Sequence, residues 1–419
     1  MPDQLQLQPS CVDNFELDSL RVEDALQRLD DRIPALVDSE SVRLRDSLDR
    51  ICFHDINSPI DVPGHANSAM DGFAINVEDL DSTDNQIFEI VGSAFAGKPY
   101  PETHRQGAAI KIMTGAVIPD GFNAVIMQEQ CAEQNDATVI IGPDHRADEN
   151  IRFAGEDIHR NSSVFSIGHK INAADLGVLA SLGIANIEVF RKPVVAFFST
   201  GDELTSIDKP LQKGQIYDSN RYTLFGLLKK LPVDILDMGV IKDDPEAIRN
   251  ALSEASTKAD LILTTGGVSV GAADFIKTVL ESIGNIEFWK IAIKPGRPLT
   301  YGCIKKAMFL GLPGNPVAVM VTFDQFVRPV IEKLSGQGMQ PKRLVKAICE
   351  EKLHKKSGRR ECQRGIASLS ADGNWQVRRT GKQGSGILTS MSQANCFIVL
   401  NEENQGVDVG DLVDIQFFD

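Results

Sequence analysis

The chain has 419 residues, a length that predicts two to four domains, and its 42% hydrophobic and 24% charged residues are ordinary for folded protein. A formal charge of −15 argues against a protein built to wrap nucleic acid or coat an anionic membrane, but leaves room for a small anion at one local site. No apolar run approaches the roughly 18 residues of a membrane span, and the first residues lack an apolar signal core. Seven scattered cysteines without a close pair, and equally dispersed histidines, give no disulfide framework or zinc site, so a reducing cytoplasm is expected.

Charge is uneven along the chain. Residues 1–50 hold twelve acids and six bases. From Phe288 to Phe323 there is no acid but five bases: Lys290, Lys294, Arg297, Lys305 and Lys306. Residues 342–382 carry twelve bases against four acids, which reads as a solvated basic face.

Residues 20–37 predict a helix, with Val22, Ala25, Leu26 and Leu29 at helical spacing. From about 51 to 150 short runs such as Ala109–Met113 and Ala124–Met127 alternate with Gly, Pro and Asn, the texture of a β-rich domain. Ala173–Leu182 predicts a short helix that would return to the first. From Val194 to about Leu334 strands and helices alternate, with strands at 194–198, 233–238, 261–264, 288–293 and 308–312. Asp244-Pro245 opens one helix as cap and first turn, and 316–334 predicts a long one. This is the pattern of a doubly wound, mostly parallel α/β sheet. Residues 341–419 turn β-like again.

Ligands of such sheets bind at the carboxyl ends of strands. One such end reads Thr265-Gly266-Gly267-Val268-Ser269-Val270-Gly271, followed by Asp274. Its glycines let backbone N–H groups converge on an oxyanion, although a tight turn without ligand explains it equally well. Trp289–Lys294 alternates, placing Lys290 and Lys294 on one face before Pro295-Gly296-Arg297, which points to anion binding. Gly311-Leu312-Pro313-Gly314-Asn315-Pro316 shapes a fixed turn at a third strand end. Asp202, Glu203, Asp243, Asp244 and Asp274 supply hard carboxylates suited to Mg²⁺. For Asp244 the helix cap is the stronger reading, and Asp274 can also be a cap.

Seven short motifs in one order carry a family resemblance: Ser68-Ala69-Met70-Asp71-Gly72, Met113-Thr114-Gly115-Ala116, Gly155-Glu156-Asp157, Ser199-Thr200-Gly201-Asp202-Glu203-Leu204, Gly266–Gly271, Lys294-Pro295-Gly296 and Gly311–Pro316. From about residue 18 onward the chain resembles the molybdopterin molybdenumtransferases, the molybdate-inserting enzymes of molybdenum-cofactor biosynthesis, and is similar to the carboxy-terminal domain of gephyrin. The resemblance implies four parts. They are a discontinuous helical linking domain at 18–46 and 149–190, an inserted β-rich domain at 47–148, an α/β molybdopterin-binding domain at 191–335, and a β-barrel-like domain at 341–419.

It further implies a homodimer in which the β-rich domain of one subunit borders the α/β cleft of the other. The reaction implied is insertion of molybdate into the dithiolene of adenylylated molybdopterin, with Mg²⁺-dependent phosphoanhydride cleavage and release of AMP. Transient contact with the adenylylating enzyme is implied as well. On that basis Asp71, Thr114, Glu203, Asp243, Asp274, Lys290 and Lys294 are the expected catalytic residues, with Asp243 and Asp274 as Mg²⁺ ligands. Gly266, Gly267, Ser269, Gly271, Arg297, Pro313, Gly314, Asn315 and Pro316 are expected to bind substrate. Two departures from the family pattern are His65-Ala66, where an aromatic–Asp pair is usual, and Cys362, where an aromatic is usual. Two other readings are a molybdopterin adenylyltransferase, which would resemble the α/β part alone, and a gephyrin-like scaffold without catalysis.

Overall fold

The structure, a computed structural model, describes residues 19–81, 83–266 and 275–418, without the side chains of 133–135 and 275–277. The chain forms two compact units. One gathers Ser41–Leu48 and Cys52–Val189; the other gathers the residues up to Glu40, Asp49–Ile51 and Phe190 onward. Among the described residues no helix is long and apolar enough to cross a membrane.

The first helix, α1 (Val22–Arg32), buries Val22, Ala25 and Leu29 in the core of the larger unit. The helix α2 (Ala173–Ser181) belongs to the smaller unit, where Leu179 packs with Cys52, Ile171, Ile187 and Val189.

The smaller unit is built on a six-stranded sheet in the order Ala124–Met127, Gly72–Ile75, Ala108–Ile112, Gln86–Ala94, Thr138–Ile141, Ala132–Asn135. Alternation buries Phe73 and Ile75 on one face, with Phe88, Val139 and Ile141. Ala74 packs on the other, with Ile110, Ile112 and Val125. Asn172 starts α2 through a capping box with Asp175.

In the larger unit a six-stranded sheet runs Asp234–Ile241, Val194–Thr200, Leu261–Thr265, Ala307–Leu312, Pro298–Ile304, Asn285–Lys290. The first four are parallel neighbours and the last two are antiparallel. Helices cover both faces. On one, α4 (Pro245–Lys258) and α5 (Phe275–Ile283) pack Ile248, Leu252, Val279 and Leu280 on Phe198, Ile262 and Phe309. On the other, α1 and α3 (Ser219–Leu228) join α6 (Pro316–Thr322) and α7 (Arg328–Leu334) over Val195, Phe197, Leu263 and Leu310. The expected 316–334 helix is continuous but carries a π turn at Phe323–Val327, whose Asp324 accepts hydrogen bonds from Gln416 (2.6 Å) and Lys342 (3.3 Å).

Two strands differ from expectation. Pro298–Ile304, which follows Pro295-Gly296-Arg297 and is not among the expected strands, pairs on both sides. The Trp289–Lys294 run is not one strand inside the parallel alternation. It ends at Lys290 on an antiparallel edge, and Ile293–Lys294 pairs instead with Arg360–Glu361. Burial of Ile291, Ala292 and Ile293 makes that crossing possible.

The C-terminal strands Val345–Cys349, Arg360–Leu369, Trp375–Arg379, Cys396–Leu400 and Leu412–Phe417 close into a five-stranded barrel, because Arg360–Leu369 pairs with both Trp375–Arg379 and Cys396–Leu400. Its interior holds Ala347, Cys349, Val377, Ile398 and Ile415. A short helix, α8 (Leu388–Gln393), precedes the fourth strand.

Gly72 is the tightest backbone approach in the smaller unit: a Cβ there would lie 1.9 Å from the Ile126 carbonyl oxygen. Gly72→Ala is expected to destabilise this unit by about 3 kcal/mol or more, read as a lower denaturant midpoint.

Candidate active site

The strand Val194–Thr200 is buried along most of its length and ends at Gly201, whose φ of +153° turns the chain to present Asp202 and Glu203 at the sheet edge. Its neighbour Leu261–Thr265 ends at Gly266, with φ +84°. A Cβ at Gly266 would lie 2.6 Å from the Thr200 carbonyl oxygen, so both the turn and the approach require glycine. A buried hydrogen bond between the Ser199 and Thr265 hydroxyls (2.9 Å) ties these two ends together. The third end, after Ala307–Leu312, passes Gly314 beside Gly266. Asn220 Nδ2 anchors it by donating to the Gly314 carbonyl (2.7 Å).

A cleft of about 740 Å³ opens at these ends. One wall is Gly266, Pro313, Gly314 and Asn315; the crossing segment adds Lys294 and Arg297; the barrel supplies Arg359, Glu361, Arg364, Arg379 and Ser385. Arg364 is 1% exposed. It donates from Nε to Ser390 Oγ (3.1 Å) and from Nη2 to the Gly384 carbonyl (3.1 Å), and has no carboxylate partner among the described residues. Burial pulls its pKa down to about 10, which leaves it cationic at neutral pH. A desolvated charge without a counter-charge is costly unless a ligand supplies one. Arg379, by contrast, is neutralised by Glu351 (2.7 Å). Lys294 donates to Glu361 (3.0 Å).

Acids gather at the neighbouring strand ends. The Asp243 carboxyl is held above its usual range by burial first, then by the negative charges of Asp202 and Glu203. Asp244 accepts from the backbone N–H groups of Glu246 and Ala247 and caps α4, so its cap reading stands. Among the described residues no three carboxylate, His or Cys side chains form a metal-holding group.

Of the residues singled out in the sequence, Gly266, Lys294, Arg297, Pro313, Gly314 and Asn315 line the cleft. Lys290, Glu203, Asp243 and Pro316 do not line it. Lys290 sits at the end of the antiparallel edge strand, and Pro316 is the first residue of α6. Gly267, Ser269, Gly271 and Asp274 lie outside the described residues.

The basic excess at 342–382 proves to be more than a solvated face, because Arg359, Arg364 and Arg379 turn into the cleft. These, with Ser385, are what sequence reading missed. The available signal was the Gly-Arg-Arg-Glu-Cys-Gln-Arg run, whose alternation would have placed Arg360, Cys362 and Arg364 on one face had it been read as a strand. Cys362 is buried in the shared core, its thiol pushed up to about 12 by burial.

In the smaller unit Asp71 Oδ1 accepts from the Thr114 backbone N–H (2.6 Å) and hydroxyl (2.7 Å). Those two bonds, the backbone one first, hold the exposed Asp71 carboxyl below its usual range. Ser68 braces the turn through Met70, and its carbonyl accepts from Gly115 N (2.8 Å), which joins the two motifs. The departures His65-Ala66 are likewise in this unit, where the Ala66 carbonyl accepts from Ile118 N (3.1 Å).

Sheet, barrel and cleft define a multidomain α/β protein with a basic cleft at its strand ends. Comparison with known families gives it a narrower place. Residues 20–183 match the MoeA N-terminal region (domain I and II), 196–333 a probable molybdopterin binding domain, and 346–418 the MoeA C-terminal region (domain IV). The chain is 42% identical to the molybdopterin molybdenumtransferase of Haemophilus influenzae, over 95% of this chain and 98% of that protein. It is 36% identical to that of Nostoc sp., over 87% and 85%. A molybdopterin biosynthesis moeA protein from Pyrococcus horikoshii OT3 superposes with a TM-score of 0.82 at 31% identity, covering 96% of this chain and all of that one. The chain belongs to the molybdopterin molybdenumtransferase family, the transferases of molybdenum-cofactor biosynthesis.

The raised Asp243 carboxyl has a thermodynamic consequence. Its folded pKa lies above the unfolded value, so its charge costs stability as pH rises from about 4 through the folded pKa. Asp243→Asn is expected to unfold at a higher temperature than wild type at pH 8. That advantage should vanish near pH 3.5, as thermal scans at the two pH values will show.

Proposed function

We propose that this chain inserts molybdate into the dithiolene of adenylylated molybdopterin, with cleavage of the phosphoanhydride and release of AMP. The observation that carries the reading is the cleft itself, where a buried, unneutralised Arg364 stands with Lys294 and Arg297; outside its lining, at the neighbouring strand ends, the Asp243 carboxyl is raised by burial and then by the charges of Asp202 and Glu203. A reaction that joins a tetrahedral dianion to a pyrophosphate-bearing substrate must hold two anions that repel each other. Separate basic and metal-bearing subsites answer that need.

Arg364, with Lys294 and Arg297, would hold the oxyanion, because fixed donors in a partly desolvated cleft act strongly on it. Gly266 and the Gly314 turn would admit the phosphate or pterin closely, since neither glycine places a Cβ in the way. Mg²⁺, when bound, supplies charge neutralisation of the pyrophosphate and polarises the bond that breaks. The residues fit that ion: Asp243, Asp202 and Glu203 form a negative field that a cation relieves, and Mg²⁺ ordinarily takes only one or two protein carboxylates beside substrate phosphates. Asp274 remains the second ligand expected from the sequence. Positioning the two reactants then provides much of the acceleration.

Ile207, Leu211, Ile216, Tyr217, Tyr222 and Phe225 are all exposed within one segment, apolar side chains that a second subunit would cover. The preformed Asp71–Thr114 pair would complete the cleft from the second subunit, and substrate would pass from the adenylylating enzyme by transient contact. Free thiols at all six described cysteines fit a cytoplasmic setting.

The test is AMP release from adenylylated molybdopterin with Mg²⁺ and molybdate. Lys294→Gln, Arg364→Met and Asp243→Asn should each lower the rate by about 10²-fold, the scale of losing one positioned charge. Wild-type rates in all three would refute the assignment. For the composite site, Asp71→Asn and Lys294→Gln subunits, each inactive alone, should recover about a quarter of wild-type activity when mixed, because half the dimers gain one intact site. Absence of recovery in verified mixed dimers would remove the cross-subunit role.

A further inference from the structure

Within the basic cleft one carboxylate stands out. Glu361 lines it, is 8% exposed, and accepts from Lys294 Nζ at 3.0 Å. The two residues are register partners where Ile293–Lys294 joins Arg360–Leu369, so their backbones are locked side by side. The second carboxylate oxygen accepts from the buried Gln363 Nε2 at 2.9 Å. Glu361 is therefore fixed at both oxygens, whereas the Lys294 side chain is 48% exposed. Lys355, the other lysine whose charge interacts with Glu361, is committed to the backbone carbonyls of Asn404 (2.9 Å) and Lys356 (3.2 Å).

An immobile carboxylate paired with a more accessible ammonium has two effects on an entering anion. It occupies one of the three donors of Lys294 and aims the remaining two. It also repels the anion, so a ligand gains from Lys294 only what exceeds its existing pairing. A dianion that reaches Arg364 as well can exceed it; a monoanion held by Lys294 alone cannot.

Resting on the functional reading above, we propose that Glu361 is a positioning residue that sets the anion selectivity of the cleft. It holds Lys294 at the wall as a built-in counter-anion until a tetrahedral dianion also engages Arg364. Glu361→Gln is close to isosteric and need not orphan its neighbour. The Gln363 Oε1 atom is buried without a hydrogen-bond partner and can accept from the new amide.

The experiment is calorimetric titration of the full-length protein with sodium molybdate, sodium sulfate and sodium nitrate at low ionic strength. The variants are Glu361→Gln, Lys294→Gln and the double mutant. Glu361→Gln should bind both dianions about fivefold to tenfold more tightly, the scale of one ordinary net hydrogen bond, and should gain measurable nitrate binding. The molybdate KM should fall in parallel. Both gains should disappear in the Lys294→Gln background, which a merely structural role for Glu361 would not produce. Detectable binding in Glu361→Gln alone would also support the proposal. If Lys294→Gln weakens binding but Glu361→Gln leaves it unchanged or weaker, the positioning role is overturned and the functional reading stands. If Lys294→Gln itself changes nothing, or no variant binds any anion, both fall. Should Glu361→Gln fail to fold, Glu361→Asp keeps the charge but withdraws it by one methylene. It should then show a smaller gain in the same direction; no gain would overturn the proposal.

Discussion

One apolar layer holds the larger unit together, and the cleft depends on it. Val22 and Leu29 of the first helix, Leu310 of the sheet, Val317 and Phe326 of the long helix, and Cys362, Met391 and Phe397 of the barrel share a single buried cluster. Because the α/β sheet and the barrel are sealed by the same side chains, barrel residues stand at fixed positions against the strand ends. Ile291 and Ile293 extend that layer into the crossing segment, which carries Lys294 from the sheet edge to the barrel. Close packing makes such an arrangement stiff, so the basic wall is preorganised before any anion enters.

The electrostatics follow from that construction. The chain as a whole is acidic, yet the cleft concentrates cations from two stretches far apart in sequence. Arg364 is cationic and desolvated, with hydrogen bonds but no counter-ion among the described residues. Asp243 sits in the opposite condition, a carboxyl raised by burial first and then by the charges of Asp202 and Glu203. Each is costly alone.

The smaller unit holds the Asp71–Thr114 pair on a different principle. Asp71 and Thr114 lie on turns rather than on strand ends, and the pair is exposed and pre-bonded. The close approach at Gly72 and the Ser68 brackets fix the turn that presents Asp71, so its geometry is set inside the unit.

The sequence by itself determined a good deal. Helical and strand periodicity gave the doubly wound α/β region, because apolar spacing is set by local geometry that every core must respect. The glycine and proline punctuation at Gly201, Gly266 and Pro313–Pro316 marked the strand ends, since only those residues make such turns. Motif order gave the family. Tertiary structure decided what local pattern cannot contain. The antiparallel strand Pro298–Ile304 hid behind turn-like residues, and its existence depends on partners at 285–290 and 307–312. Arg359 and Arg364 looked like part of a solvated charge run, and only barrel closure against the sheet turned them inward. Lys290 and Lys294, matched on one strand face in sequence, were parted because the chain leaves one sheet for another between them. Burial is a property of what packs against a residue, and for these side chains that partner lies tens of residues away along the chain.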